Sequence, residues 1–132
     1  MAASVLLVTN PLPLSLVTCL EDLGYAVMMA EDGRAALHHL EQRKPDLLII
    51  DAEVLVASGL GTCTRLRSVL EDAALPVVMW SALAGLREQS TAQLIGARMT
   101  LSNPTASEVA AVVEGLLCHV QPEPARLWRA AS

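Results

Sequence analysis

Phenylalanine is missing from this chain, and aromatic residues of any kind make up 2% of its 132 residues. With 53% hydrophobic content, its core has to be built from Leu, Val, Ile, Ala and Met. Lysine is nearly missing too: of nine basic residues one, Lys44, is a lysine and the others are arginines. Nine basic against fourteen acidic side chains give a formal charge of −5, without the basic patch that nucleic-acid binding needs. Charged residues are only 17%, which excludes a disordered chain. No apolar run approaches the roughly eighteen residues of a membrane span. The opening Met1-Ala2-Ala3-Ser4 carries no basic region and meets a polar turn early, unlike a secretory signal, so a cytoplasmic protein is expected.

Metal and nucleotide signatures are equally scarce. Cys19, Cys63 and Cys118 lie far apart, with no CxxC or Cys/His ligand spacing, and read as small apolar groups in a reducing compartment. His38 and His39 are adjacent, so on a helix they point in different directions, and His119 stands alone. Neither GxGxxG nor GxxxxGK[ST] occurs, which removes support for Rossmann or P-loop nucleotide binding.

What the chain does have is alternation. Val5–Val8 is a short β-prone run stopped by Thr9-Asn10-Pro11. Leu12, Leu16, Leu20 and Leu23 recur at helical spacing, with Pro13 in the first turn and Gly24 just past the end. A second strand is predicted over Tyr25–Met29, a turn at Asp32-Gly33, and a helix carrying Ala36, Leu37 and Leu40 to about Gln42. Leu47–Ile50 is apolar on both faces and ends at Asp51, as a parallel strand covered on both sides would be. A helix lined by Cys63, Leu66, Val69 and Leu70 follows, then a strand over Leu75–Trp80 ending at Ser81. A helix from Leu83 to about Leu94, stopped by Gly96, leads to a short strand over Ala97–Leu101 and a turn at Asn103-Pro104. Thr105-Ala-Ser-Glu108 has the capping-box pattern, and Val109, Val112, Val113, Leu116 and Leu117 give the last helix its buried face.

Five strands alternating with five helices predict one α/β domain with a doubly wound (βα)5 parallel sheet, a flavodoxin-like three-layer sandwich. The boundaries expected are 1–120 for the domain and 121–132 for a tail or linker stub, bearing Pro122, Pro124, Arg126, Trp128 and Arg129. Ligand sites in such sheets lie beyond the carboxyl ends of the strands, which singles out Thr9, Asn10, Asp51, Ser81, Asn103 and their neighbours. Asp51 at a buried strand's end serves either as a turn cap or as a chemical group. Glu53 reads as solvated, Ser81 as bonding its own loop, and Asn103 before Pro104 as an Asx-type turn. Trp80 is expected to face the core or rim the site. One or two carboxylates hold Mg²⁺ poorly, and a phosphoryl group would lack a cation for its equatorial oxygens.

These residues resemble the receiver domains of two-component response regulators, over residues 4 to about 120. Glu31-Asp-Gly-Arg-Ala-Ala-Leu37 is similar to that family's start of the second helix, and Pro45–Asp51 to its phosphoacceptor strand. The resemblance implies Asp51 as phosphoacceptor, Gly59 as the glycine of the following loop, and Ser81-Ala82 as the Thr/Ser-Ala pair. It also sets Asn103-Pro104 on the Lys-Pro position and Gly96-Ala97 on the Gly-Ala before the fifth strand. The departures concern charge. The acidic pair that holds the family's divalent ion falls on Thr9-Asn10 or on Val8-Thr9, and the phosphoryl-contacting lysine on Asn103. The aromatic switch residue falls on Thr100, and the loop proline on Leu55. Arg98 and Arg87 are the nearest substitutes for the lysine, and Arg98 lies early in the fifth strand. Lys44, at the start of the third strand and at the opposite edge of the sheet from Asp51, cannot serve.

The resemblance therefore implies an atypical receiver that signals by binding another signalling protein or an output domain. It would use the surface of the fourth predicted helix, fifth strand and fifth predicted helix, with a homodimer through the same surface as a further option. Neither cofactor nor enzymatic activity is expected, and Thr9 and Asn10 are expected to hydrogen-bond Asp51 directly. The competing reading is a phosphoaccepting receiver with a weakened Mg²⁺ site on Asp51 and slow autodephosphorylation. An unrelated flavodoxin-like enzyme fits less well. No His or Cys neighbours Ser81 or Asp51 as a base, and Pro11 and Pro13 remove N–H donors from the loop a flavin phosphate would use.

Overall fold

A computed structural model describes residues 3–10, 13–81 and 86–117, the side chains of residues 86–88 excepted. Its strands are β1 (Ser4–Val8), β2 (Ala26–Ala30), β3 (Leu47–Asp51), β4 (Val77–Ser81) and β5 (Met99–Ser102). They form one parallel sheet in the order β2-β1-β3-β4-β5. The helices are α1 (Leu14–Asp22), α2 (Gly33–Gln42), α3 (Ala52–Ala57), α4 (Leu60–Asp72), α5 (Leu86–Ile95) and α6 (Ala106–Leu117). The doubly wound α/β sandwich expected from the alternation is what the chain forms.

The pleat explains why the central strands are apolar throughout. Val5, Leu7, Leu47, Ile49 and Val78 share one face and pack with Leu16 and Leu20 of α1 and with Val109, Val113 and Leu117 of α6. Leu6, Val8, Leu48, Ile50, Val77 and Met79 take the other face, with buried residues of α2, α3, α4 and α5. Successive residues of a strand point to opposite faces, so a strand covered by helices on both sides has no polar position to spare. At the amino end, Asp46 fastens β1 to the entry of β3: its Oδ2 accepts the Ser4 N–H at 2.7 Å.

Several expectations need correction. Six helices are described where five were expected, because α3 occupies the segment read as a loop carrying Glu53, Leu55 and Gly59. Asp51 caps it, and Gly59 at φ +90° separates it from α4, a backbone that side-chain-bearing residues rarely adopt. Six residues of mixed apolar sequence are too short to show a helical period. Asp32-Gly33 is a helix start and not a free turn: Asp32 Oδ1 accepts the Ala35 N–H at 2.7 Å, and Gly33 opens α2. Pro13 stands at the N-cap, one position before the first turn. Strand β2 runs one residue later than predicted. Strand β4 begins after Pro76, and β5 begins at Met99 because the Ala97 N–H turns back to Ala92 O and finishes α5. The predicted start of α5 at Leu83 lies outside the described residues, as do Cys118, His119 and the tail.

The capping box is present in both directions. Thr105 Oγ1 accepts the Glu108 N–H at 3.1 Å, and Glu108 Oε1 accepts the Thr105 N–H at 3.3 Å. Gly33 is required by a close approach. Its N–H donates to Ser58 Oγ at 2.9 Å, and a Cβ there would meet the same Oγ at 2.7 Å.

Candidate functional site

The carboxyl ends of the central strands bring the singled-out residues to one place. Asp51 ends β3 and is the register partner of Trp80 in β4, so the two side chains start from the same face. Val8 of β1 pairs with Ile50, which puts Thr9 level with Asp51 on the other side. Thr9 is 6% exposed, and its hydroxyl donates to Asp51 Oδ2 at 3.3 Å. Asp51 Oδ1 accepts the Glu53 N–H at 2.8 Å, the bond that caps α3. Each oxygen of this carboxylate therefore holds a hydrogen bond from the protein. Of the two registers open for the end of β1, the contact with Asp51 belongs to Thr9, while Val8 is buried in the core.

Asn10, expected beside Asp51, is exposed and lines an adjoining open groove with Glu31, Asp32, Arg34, Glu53 and Thr62. That groove was not singled out in the sequence. Its one signal was the acidic Glu31-Asp32 next to a helix start.

Above Asp51 lies a cleft of about 240 Å³ between α1 and α6. Ser15, Asp51, Glu53, Ser81 and Asn103 are its polar lining residues. Pro13, Leu16, Trp80, Pro104, Ala106 and Val109 supply its apolar walls. Trp80 is half-buried there, packed against the core and rimming the site at once, so both expected positions hold. Ser81 is 6% exposed, and its carbonyl accepts the Asn103 N–H at 2.6 Å. Asn103 itself adopts φ +44°. Asparagine tolerates this left-handed region better than most residues, so the turn favours the amide on local grounds.

The remaining sites spread apart. Glu53 is exposed, as expected of a solvated side chain. Thr100 is exposed on the edge strand β5, and Ala82 lies outside the described residues. Leu55 is buried in α3, and Gly59 caps α4. Arg98 is exposed, and its N–H donates to Val77 O at the amino end of β4, away from the cleft. The Arg87 side chain is outside the described residues. Lys44 is exposed ahead of β3. That is the opposite end of Asp51's own strand, and not the opposite edge of the sheet, since β3 is central. The four strand residues Leu47–Ile50, at about 3.3 Å each, and the two residues before them stand between Lys44 and Asp51. Among the described residues, no group of three or more His, Cys, Asp or Glu side chains converges as metal ligands do. Cys63 is buried and Cys19 half-buried. Burial pushes the Cys63 thiol pKa up, partly offset by a backbone hydrogen bond.

Comparison with known proteins supplies the remaining findings. The family model of the response regulator receiver domain matches residues 12–113. The chain is 33% identical over 103 residues to response regulator MprA of Mycobacterium leprae, spanning 77% of this chain and 44% of that protein. It is 34% identical over 80 residues to the probable transcriptional regulator ycf27 of Guillardia theta, spanning 61% of this chain and 30% of that one. The chain thus spans less than half the length of these curated relatives. Among solved structures, a CheY-like response regulator receiver domain protein from Methanospirillum hungatei superposes with a TM-score of 0.75 at 17% identity, covering 90% of this chain and 96% of that one. The chemotaxis response regulator CheY4 of Vibrio cholerae gives 0.72 at 24% identity, covering 89% and 100%. Likeness at these identities concerns the fold. Among the described residues, no helix is long and apolar enough to cross a membrane.

Proposed function

Because the chain belongs to the response regulator receiver domain family, we propose that it serves two-component signalling as a receiver working through contact with another protein, independently of phosphorylation at Asp51. The observation that carries this reading is the state of the Asp51 carboxylate, with one oxygen held by the Thr9 hydroxyl and the other by the Glu53 N–H. Near it stand the Thr9 hydroxyl and the Asn103 amide, where the resemblance places an acid and the lysine. Phosphoryl transfer runs on electrostatic stabilisation of the transferring group, and a metal ion and a lysine in a dry site are each worth several kcal/mol. Without them the rate falls by orders of magnitude.

The donor set supports a site with no resident Mg²⁺. That ion wants near-octahedral oxygen ligands, and among the described residues Asp51 is the one carboxylate hydrogen-bonded at the carboxyl ends of β1 and β3, while Glu53 is exposed. Enzymatic activity is then at most slow phosphoryl transfer to Asp51. The partner surface would be α5, β5 and α6, where the edge strand presents exposed Met99 and Thr100. An output domain, a separate signalling protein or a second copy of the chain would dock there, and a cytoplasmic setting accords with this role.

A second reading, a phosphoaccepting receiver with a weakened metal site, draws on one observation: Asp51 and Ser81 line the same cleft. Beryllofluoride with millimolar Mg²⁺ tests the choice by amide NMR. The proposed function expects unchanged resonances around Asp51 and Ser81. Clear shifts at both would overturn it in favour of the second reading.

A further inference from the structure

The cleft over Asp51 combines features that the protein-contact reading leaves unused. Asp51 and Glu53 are among its lining residues, and among its described lining residues there is no Lys, Arg or His. The walls are apolar, with Leu16 from α1, Val109 from α6 and the half-buried Trp80 indole. Asp51 and Trp80 are register partners on neighbouring strands about 4.8 Å apart, so the indole and the carboxylate begin side by side.

We propose that this cleft binds a small organic cation, an ammonium group carried on an apolar or aromatic body. This inference rests on the reading that no divalent ion resides at Asp51. Each competing ligand class meets a specific obstacle. An anion meets the Asp51 carboxylate and the acidic Glu53 with no compensating positive charge in the described lining. A neutral apolar molecule would cover the carboxylates without pairing them, which burial penalises. A bare metal ion finds too few oxygens, and apolar walls for the rest of its shell.

An ammonium instead gains charge-assisted hydrogen bonds to Asp51 while its body lies against Trp80, Leu16 and Val109. The Asp51 oxygens each hold one protein hydrogen bond, and a carboxylate has about four lone-pair sites, so acceptor capacity remains. The volume of about 240 Å³ is just below the usual range for drug-sized ligands, which points to a fragment-sized amine.

Phenethylamine is a suitable probe, with phenethyl alcohol as its neutral counterpart and 3-phenylpropionate as its anionic one. Titrated into the full chain and followed by amide and indole NMR, the amine should give saturable shifts at Asp51, Trp80 and Asn103. It should bind about tenfold more tightly than the alcohol, and the acid should have no effect. Asp51→Asn retains a cap for α3 and should weaken the amine about tenfold; Trp80→Leu should do so to a similar degree, each with an unchanged far-ultraviolet spectrum. Equal binding of the acid, full affinity in Asp51→Asn, or no saturable shift at millimolar amine overturns the proposal. Repeating the titration with millimolar Mg²⁺ separates the two readings. Displacement of bound amine by Mg²⁺ refutes the metal-free site and keeps the amine site, whereas absence of amine binding without any Mg²⁺ response refutes the amine site alone.

Discussion

Placing an aspartate at position 9 tests the electrostatic logic of the site directly. Thr9 is 6% exposed, with its hydroxyl 3.3 Å from Asp51 Oδ2, so Thr9→Asp would set a second carboxylate against the first in a nearly dry position. Two like charges about 4 Å apart repel by about 4 kcal/mol at an effective dielectric near 20. Thr9→Asn has the same shape without the charge, and the difference between the two variants isolates that repulsion. For a domain of this size about 4 kcal/mol corresponds to a drop of about 15 °C in melting temperature. Thermal denaturation at neutral pH and low salt should therefore find Thr9→Asp melting well below Thr9→Asn. Millimolar Mg²⁺ should recover most of the gap, since two facing carboxylates supply the oxygen charge that Asp51 alone does not. The parent chain should show no rise with Mg²⁺. If the two variants melt together without Mg²⁺, positions 9 and 51 do not share a desolvated site and the reasoning fails; a rise of several degrees in the parent chain would instead reveal a working ion site.

Other parts of the fold give further tests. Gly33→Ala should cost about 2 kcal/mol in urea denaturation, because the new Cβ would lie 2.7 Å from Ser58 Oγ and 2.9 Å from Thr62 Cγ2. Adding Ser58→Gly should recover part of that loss, and a Gly33→Ala variant as stable as its parent would refute the close approach. Thr105→Ala removes the acceptor for the Glu108 N–H at the start of α6 and should cost about 1 kcal/mol, read from the same denaturation midpoint; a change near zero would show that the capping box contributes nothing. The Cys63 thiol pKa is raised by burial, so the folded state favours the protonated form. Its contribution to stability is fully present below the ordinary thiol value, about 8.5, and is lost as pH climbs from there through the raised folded-state value. At neutral pH, iodoacetamide should label half-buried Cys19 ahead of buried Cys63 in the native protein, and equal rates measured by mass spectrometry would contradict the burial argument.

How much of this was legible in the sequence depended on the kind of signal. Leu47–Ile50 declared a strand covered on both sides because an uninterrupted apolar run has no exposed face, and it lies at the middle of the sheet. Thr105 and Glu108 declared a helix start because the capping box depends on a three-residue spacing that survives any tertiary context. Helix α3 was illegible for the opposite reason. Its six residues span less than two turns, and what creates it is the Asp51 cap, a bond invisible until the strand end is placed. Strand boundaries slipped wherever backbone bonds decided them, as at Ala97, whose N–H is taken by Ala92 O before β5 can begin. In the site, the meeting of Thr9 with Asp51 followed from strand order and was accessible. Asn10 and Thr100 were harder to place, since one residue of offset decides which side of a strand end a side chain leaves from.

The cap on α3 also changes what an aspartate at position 51 implies. Asp and Asn are among the preferred N-cap residues, and replacing such a cap by alanine costs about 1 kcal/mol. A carboxylate at the end of β3 is thus favoured by the fold whether or not a phosphoryl group ever arrives. No comparable structural demand acts on the charges that would surround a phosphoacceptor. The positions that the resemblance gives to two acids and a lysine carry Thr9 with Asn10 or with Val8, and Asn103, and Thr9 and Asn103 satisfy local needs. Thr9 donates to Asp51, and Asn103 takes a left-handed turn that its amide tolerates. Under the proposed function, Asp51 serves as the cap of α3 and its phosphoryl chemistry goes unused. This is why Asp51→Asn, which removes the acceptor and keeps the cap, separates the two readings more cleanly than Asp51→Ala, which removes both.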